Sequence, residues 1–348
     1  MIVPLAKAAR IILVWASLFA LSGCEVLLGA KTAERFPPPG RLIDIGGRKL
    51  QIDCRGKGSP TVILEAGGNN IYGSLTWATV QDDIAATTRV CSYSRAGIMW
   101  SDSRREPLDS EGIAHDLHKL LQLAHEAPPY VLVGHSRGAM FNLIYTDLYG
   151  SDVAGLVFVE PAHPEQEKRR EKEGIAGDPQ PLASVKLLRA LDWTGLPRAF
   201  SGFCRKSGVP DAVVAACKAW FPHSLDGYIS ETEVLDALRE RAGKVRNLGN
   251  RPVLVLSRQL PASAFSSNAA TKAEQQRWEA VRHKLHAEIA SWSSRGVQRM
   301  VPDSDHEMML SQPGAVVAAV KEVVAQTVLE LSSGSRTAVP QTQRPPAP

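Results

Sequence analysis

The sequence predicts an α/β protein in which a mainly parallel, eight-stranded sheet carries helices on both faces. Short apolar runs of strand type alternate along the chain with stretches of helical apolar spacing, as in sheets joined by crossover helices. A region of roughly 85 residues without a strand-type run interrupts this alternation, and it is too long for a loop of a compact domain. We therefore expect a helical subdomain inserted into the core.

The first part of the chain supplies six of the predicted strands. Residues 41–52 alternate around Gly46 and Gly47, which predicts a β-hairpin. Single strands are then predicted over residues 61–65, 89–93, 130–133 and 153–159. Apolar positions at helical spacing predict helices over residues 76–86, 112–125 and 140–149.

The rest of the chain contains the insertion and two more strands. Within the insertion, helical patterns cover residues 182–191, 211–220 and 231–242, separated by Gly and Pro. Strands follow at residues 252–256 and 297–301, and helices at residues 271–292 and 313–331. The resulting division is a linker over 24–40, a core over 41–162 and 251–331, a helical cap over 163–250 and a disordered tail over 332–348.

Composition narrows the class of protein and its partners. Hydrophobic residues make up 44% and charged residues 22% of the 348, which is ordinary for a globular protein. The net charge is +4, but Lys and Arg are scattered rather than gathered in a stripe, so no nucleic-acid partner is expected. The oligomeric state stays open.

The N-terminus has the features of an export signal. Lys7 and Arg10 precede an apolar run over residues 11–20, which is typical of a signal peptide. Residues 21–24, Leu-Ser-Gly-Cys, resemble the lipobox of bacterial lipoproteins, and that resemblance implies cleavage after residue 23 and a lipid on Cys24. The alternative is an uncleaved membrane anchor near spanning length. Either predicts a cell-envelope protein attached to the membrane by its N-terminus.

Four cysteines remain, namely Cys54, Cys91, Cys204 and Cys217. An even number in an exported protein permits two disulfide bonds, and the alternative is four free buried thiols. Their spacing matches no zinc-binding pattern. The sequence does not give the pairing.

A candidate nucleophile lies in residues 131–140, VLVGHSRGAM. Three apolar residues lead into a turn in which Ser136 lies between Gly134 and Gly138, before a predicted helix. A strand, a sharp turn and a helix are the context of the Gly-x-Ser-x-Gly nucleophile elbow. Because the pattern alone occurs by chance in many chains, the other polar residues after strands have to support it.

Several such segments occur in one order and resemble the α/β-hydrolase family over residues 36–331. They are FPPPGRLIDIGGRKL, TVILEAGG, SYSRAGIMWSD, PPYVLVGHSRG, LVFVEPAHP and DSDHEMMLSQP. The resemblance implies an α/β-hydrolase sheet with a helical cap. In the third segment Ser94 stands where the family often has Asp, and Met99 where it often has Gly.

The resemblance also implies a catalytic triad in the chain order Ser, acid, His. Ser136, Glu160 and His306 follow this order, each just after a predicted strand. Many relatives carry Asp at the position of Glu160, so Asp303 and Asp305 remain alternative acids.

Further site residues follow from the same resemblance. The oxyanion hole is expected from the backbone N–H groups of Arg137 and Gly68, with Asn69 as the alternative to Gly68. Asn69, Trp100 and His163 are candidates for the substrate pocket, although Trp100 is equally suited to packing beneath the active-site loop. Five cap residues are expected to supply apolar surface, either to the pocket or to the core of the cap: Trp193, Phe200, Phe203, Trp220 and Phe221.

Taken together, the residues predict a serine hydrolase that cleaves a small-molecule carboxylic ester, or alternatively an amide, through an acyl-enzyme. Neither a metal nor an organic cofactor is implied. The competing hypothesis is a non-catalytic envelope lipoprotein that uses the fold as a small-molecule binding module.

Overall fold

The computed structural model describes residue 31 and residues 34–68, 71–177 and 180–333. The predicted class is confirmed, because eight strands form one sheet with helices packed against it. In chain order the strands are β1 (Arg41–Asp44), β2 (Lys49–Arg55), β3 (Thr61–Glu65), β4 (Val90–Ser94), β5 (Tyr130–His135), β6 (Val153–Val159), β7 (Gly249–Gln259) and β8 (Ser293–Pro302).

The sheet order is β1-β2-β4-β3-β5-β6-β7-β8. Strand β2 runs antiparallel to both β1 and β4, and all other neighbours are parallel. The carboxyl ends of β3, β5, β6 and β7 therefore meet at one edge, which is where open α/β sheets bind ligands.

Among the described residues the helices are α1 (Gln81–Ala85), α2 (Gly112–Leu123), α3 (Gly138–Leu148), α4 (Gln166–Lys172), α5 (Leu182–Ala190), α6 (Leu196–Ala199), α7 (Asp211–Glu233), α8 (Leu235–Gly243), α9 (Ala269–Ser291), α10 (Met308–Ser311) and α11 (Pro313–Ser332). Short 3-10 turns cover Gly73–Trp77, Gly150–Asp152, Asp192–Thr194, Ser201–Cys204 and Ala262–Ala264.

Strand β5 shows why the central runs of the sequence are apolar without alternation. Leu132 packs into the core on the α2 and α3 side, whereas Val131 and Val133 pack on the α11 side. Because successive side chains of a strand point to opposite faces, a strand covered on both faces needs apolar residues at every position. This sandwich holds the ends of the central strands in place.

Helices α4 to α8 lie between β6 and β7 and form the cap. Its longest helix, α7, continues through Pro222, so the predicted interruption between residues 220 and 231 is wrong. Proline disfavours a helix interior, but it marks a probable rather than a certain boundary. Pro222 is buried, as are Phe221 and Leu225 of the same helix. The helix predicted over residues 76–86 is shorter than expected. Only the end of a 3-10 turn and the short helix α1 form there.

Both pairs of cysteines lie in disulfide bonds. Cys54 on β2 is the register partner of Cys91 on β4, and their sulfur atoms are 2.03 Å apart. Cys204 ends a 3-10 turn of the cap, and its sulfur lies 2.05 Å from that of Cys217 on α7. The second bond is buried in the apolar centre of the cap.

The predicted N-terminal signal and Cys24 lie outside the described residues, as do residues 334–348 of the predicted tail. Within the part of the chain that the structure describes, no helix has the length and apolar character needed to cross a membrane.

Replacing Cys204 and Cys217 together by serine should loosen the cap. In the chain-entropy model, a bond that closes a loop of this 13-residue separation contributes about 3 kcal/mol. We expect amide hydrogens of α7 to exchange at least about tenfold faster, and those of β5 to keep their rates, in hydrogen-exchange mass spectrometry. The matched control is the Cys54→Ser, Cys91→Ser variant, whose effect should fall on β2 and β4. Unaltered exchange in α7 of the first variant would contradict the assignment.

Candidate active site

Ser136 occupies the sharp turn between β5 and α3. Its φ is +51°, a left-handed conformation that non-glycine residues seldom adopt. The turn also leaves no space for neighbouring side chains. A Cβ atom at Gly138 would lie 2.7 Å from the carbonyl oxygen of Glu65, and one at Gly134 would lie 2.9 Å from the backbone nitrogen of Ala139. These two close approaches explain the glycines on either side of the serine.

His306 lies in the loop between β8 and α10 and faces Ser136. Its Nε2 atom is 3.0 Å from Ser136 Oγ, which is hydrogen-bonding distance. The loop is held by His135, whose Nε2 lies 2.8 Å from the carbonyl oxygen of His306. Burial and the neighbouring His306 lower the pKa of His135 to about 4. His135 is therefore neutral at pH 7, and it carries its proton on Nε2 because a carbonyl oxygen only accepts.

Glu160 follows β6 and lies behind His306. Its backbone N–H donates to the carbonyl oxygen of Leu256 on β7 at 2.9 Å, and its φ is +48°. One carboxylate oxygen, Oε2, lies 3.7 Å from His306 Nδ1. This distance is that of an ion pair, and such catalytic contacts are often long before substrate binds. The structure thus places the three residues of the predicted triad side by side.

Two arginines hold the Glu160 carboxylate. The backbone N–H of Arg258 donates to Oε1, and the Arg282 guanidinium donates to Oε2. The guanidinium groups of both arginines also bind Glu279. Its Oε1 atom lies 2.5 Å from Arg258 Nη2 and 3.4 Å from Arg282 Nη1. Burial alone would raise the pKa of Glu160, but His306 and the charge of Arg282 outweigh it and hold that pKa well below its ordinary value.

The alternative acids have other contacts. Asp303 and Asp305 are exposed, and the Oδ1 atom of Asp305 accepts a hydrogen bond from the backbone N–H of Glu307 at 2.9 Å. Asp305 therefore closes the turn around His306, and it is Glu160 that approaches the Nδ1 atom of the ring.

Gly68 and Arg137, the predicted oxyanion donors, are neighbours in space. Gly68 lines the same cavity as Ser136 and His306. A Cβ atom at position 68 would lie 2.3 Å from Arg137 Nε, so the arginine side chain packs directly on this glycine. Asn69, the alternative donor and a pocket candidate, lies outside the described residues.

Arg95 supports the loop that contains Gly68. Its buried guanidinium donates to the carbonyl oxygens of Ala66 at 2.8 Å and Gly67 at 2.6 Å. The same group pairs with Glu65 at 2.6 Å and Glu231 at 2.7 Å. Since buried charges need such compensation, Arg95 joins the loop after β3 to helix α7 of the cap.

Sequence reasoning missed the roles of Arg95, Arg282 and Glu279. For Arg95 a signal existed, because it follows a predicted strand at the same edge as Ser136. Arg282 and Glu279 lie three residues apart on a helix that is rich in charge elsewhere as well. Nothing in that pattern distinguishes these two buried residues from solvated ones.

Ser136 and His306 open into a cavity of about 710 Å³ between the core and the cap. The lining is mostly apolar and includes three of the predicted cap aromatics, Phe200, Phe203 and Phe221. The other two, Trp193 and Trp220, are absent from the described lining.

Two pocket predictions need correction, because neither Trp100 nor His163 lies on the wall that the structure describes. Trp100 is buried beside Trp220 of the cap, with ring centroids 6.3 Å apart, and its Nε1–H donates to the carbonyl oxygen of Phe36 at 2.8 Å. His163 is buried beside the ring of Trp292, with centroids 5.4 Å apart, and its Nδ1 accepts from the backbone N–H of Glu165.

The two departures from the family pattern are also buried. Ser94 Oγ donates to Gln51 Oε1 at 2.8 Å and accepts from the backbone N–H of Ser74 at 3.1 Å. Met99 keeps a left-handed backbone with φ of +50°, which explains why glycine suits this position. Ser94 thus connects β2 and β4 to the first 3-10 turn, and the backbone N–H of Met99 donates to Ser224 Oγ on α7 at 3.0 Å.

Solved structures with the same fold include enzymes. A serine hydrolase involved in carbazole degradation (CarC enzyme) aligns over 82% of this chain and 98% of its own, with a TM-score of 0.56 and 16% identity. A thermophilic esterase from Thermogutta terrifontis aligns over 82% and 98%, with a TM-score of 0.53 and 17% identity. At these identities the likeness establishes the fold.

Relatives are also found by sequence. The uncharacterized protein YqjL of Bacillus subtilis (strain 168) is 26% identical over 271 residues, which cover 77% of this chain and 85% of that protein. The probable transporter efuK of Hormonema carpetanum is 36% identical over 129 residues, which cover 35% of this chain and 18% of that protein. The chain thus spans less than a fifth of the length of efuK.

The family model described as "Alpha/beta hydrolase family" matches residues 62–320. This match covers more than half of the 348 residues and extends from β3 to α11, including Ser136, Glu160 and His306. The chain belongs to the alpha/beta hydrolase family.

Proposed function

We propose that the protein is a serine hydrolase that cleaves a small-molecule carboxylic ester through an acyl-enzyme. The observation that carries this proposal is the 3.0 Å contact between Ser136 Oγ and His306 Nε2 on the wall of an apolar cavity. A serine hydroxyl is a weak nucleophile at neutral pH, and a base at this distance is what activates it.

The steps follow from the geometry. Ser136 Oγ attacks the ester carbonyl while His306 Nε2 takes its proton, and the same proton then passes to the leaving alcohol. A water molecule, deprotonated by His306, then attacks the carbonyl carbon of the acyl-enzyme. The bond from that carbon to Ser136 Oγ breaks, Oγ takes the proton back from His306, and the acid is released. Glu160 stabilises the imidazolium that forms in both halves of the reaction, since its carboxylate is ionised and adjacent to Nδ1.

The negative charge on the carbonyl oxygen needs donors fixed in advance. We assign this role to the backbone N–H groups of Arg137 and Gly68, which belong to packed and buried segments. Arg95 keeps the second of these segments in place through the carbonyl oxygens of Ala66 and Gly67. The serine hydrolase and the esterase with the same fold give the proposal further support.

We further propose that the N-terminus attaches the enzyme to the membrane of the cell envelope. The support is the sequence of residues 7–24, in which a basic start and an apolar run lead to Leu-Ser-Gly-Cys. With a lipid on Cys24 in the bilayer, the linker of residues 24–40 would connect the membrane to the catalytic core.

Ser136→Ala should abolish the reaction with a fluorophosphonate, which forms a phosphorus–oxygen bond to an activated serine and expels fluoride. Intact mass spectrometry should show one adduct on the wild type and none on the variant, and ester turnover should fall by up to roughly 10⁶-fold. Ser184→Ala, at another serine of the cavity wall, is the matched control and should label normally. Equal labelling of Ser136→Ala would refute the proposed nucleophile.

Glu160→Gln should destabilise the fold and change its response to acid. Near pH 7 the variant leaves Arg282 with only its longer contact to Glu279, at 3.4 Å, and breaking a buried pair costs up to roughly 3 to 5 kcal/mol. The folded pKa of Glu160 lies below its ordinary value of 4.5, so its stabilisation is complete above that pH and is lost as the pH falls. The gap in unfolding free energy between wild type and variant should therefore narrow below pH 4.5.

Denaturant titrations at pH 7, 5, 4 and 3 measure that gap. Asp305→Asn is the control, because this carboxylate is exposed and only closes a turn, and its stability should stay close to that of the wild type. A gap for Glu160→Gln that stays constant with pH would show that Glu160 is not held ionised by its neighbours.

Cys24→Ala should release the protein from the membrane, because the lipid is attached to this thiol. Fractionation of expressing cells should move most of the variant to the soluble fraction, whereas Cys204→Ala should not move it. Full membrane retention of Cys24→Ala would favour the uncleaved anchor.

A further inference from the structure

Helix α5 of the cap presents an apolar surface that the described protein covers only in part. The helix has no buried residue, although it contains four large apolar side chains. Of these, Val185, Leu187 and Leu188 line the cavity that Ser136 also lines. Val185 and Leu188 are partly buried and pack against the apolar cluster of the cap, whereas Leu187 is mostly exposed. An apolar side chain on a helix normally packs against a neighbouring element, so the uncovered part of this surface is available to a ligand in the cavity.

The apolar surface continues to the mouth of the cavity. Leu187, Leu196, Phe200 and Phe203 line the cavity and are also 64%, 42%, 51% and 53% exposed. They form what we call the rim. Isolated exposed apolar residues are common, but a contiguous group beside a cavity marks a site where an apolar ligand binds.

The charged groups of the described lining compensate one another. Lys206 Nζ lies 2.6 Å from Glu307 Oε1, and these two form the ion pair on the wall. His135, a further titratable residue of the lining, is neutral at pH 7 because burial and the neighbouring His306 lower its pKa. A wall with this balance favours an uncharged ligand, because an ionic group would lose its hydration without gaining a partner.

We propose that the cavity binds a long hydrocarbon chain of the substrate, so that the substrate is a lipid-like ester rather than a short polar one. The inference rests on the proposed function, because Ser136 and His306 place the scissile bond on the wall of this cavity. A volume of about 710 Å³ lies in the range that holds ligands of drug size, roughly 300 to 1,000 Å³. The chain would cover the side chains of α5 and the rim.

Chain-length dependence tests this inference directly. Each buried methylene should raise kcat/KM by at most about fourfold, the equivalent of its transfer free energy. With p-nitrophenyl esters below their micelle concentrations, we expect kcat/KM to rise at least about 100-fold from acetyl to decanoyl. A second series, acetates of alcohols from ethanol to decanol, shows whether the chain is on the acyl or the alcohol side.

Polar substitutions on the rim should weaken this preference. In the Leu187→Ser, Phe200→Ser variant we expect the ratio of decanoyl to acetyl kcat/KM to fall at least about tenfold. Leu329→Ser is the matched control, because Leu329 is 68% exposed, similar to Leu187, but lies on α11 away from the cavity. Its ratio should equal that of the wild type.

Failure of the inference and failure of the proposed function give different results. Labelling of Ser136 by a fluorophosphonate with flat chain-length profiles in both series would overturn the inference alone. Absence of labelling would overturn the proposed function, and the cavity would then be tested by titrating the Ser136→Ala protein with a fluorescent decyl probe. Binding that is lost in the rim variant would support the inference, and no binding would overturn it.

Discussion

The buried carboxylate of Glu160 constrains how the whole catalytic edge is assembled. Its charge is compensated from three separate places: the backbone of Arg258 on β7, the guanidinium of Arg282 on α9, and the ring of His306 after β8. An uncompensated charge at this depth would be costly, so these three elements must converge for the chain to fold. The same convergence orients His306 toward Ser136.

A second group of buried charged side chains, around Arg95, holds the loop after β3 next to Ser136. Arg95 pairs with Glu65 and Glu231 and binds the carbonyl oxygens that precede Gly68. One arginine thus connects a strand end, the loop after β3 and a cap helix. Both loops that flank Ser136 are positioned by interior electrostatics, while the sheet between them is held by apolar packing on two faces.

Much of this arrangement was predictable from local patterns, and the rest was not. All eight strands were predicted: the central ones from continuous apolar runs, which burial on both faces requires, and the first two from the alternation around Gly46 and Gly47. Gly134 and Gly138 identified the turn at Ser136. Arg282 and His163 could not be placed, because burial of a polar side chain depends on packing between distant segments. The helix interruption predicted around Pro222 was wrong for a related reason. Local rules place proline at helix ends, but the surroundings of Pro222 in the cap tolerate it inside α7.

The ion pair between Lys206 and Glu307 connects the cap to the residue next to His306 across 101 positions of the chain. Both side chains are partly exposed, at 43% and 31%, and exposed pairs of this kind contribute between zero and about 1 kcal/mol. Salt would weaken the contact further. This ion pair therefore holds the cap to the histidine loop only weakly, in contrast to the buried ion pairs of Arg95 and Glu160 that set the geometry of the site.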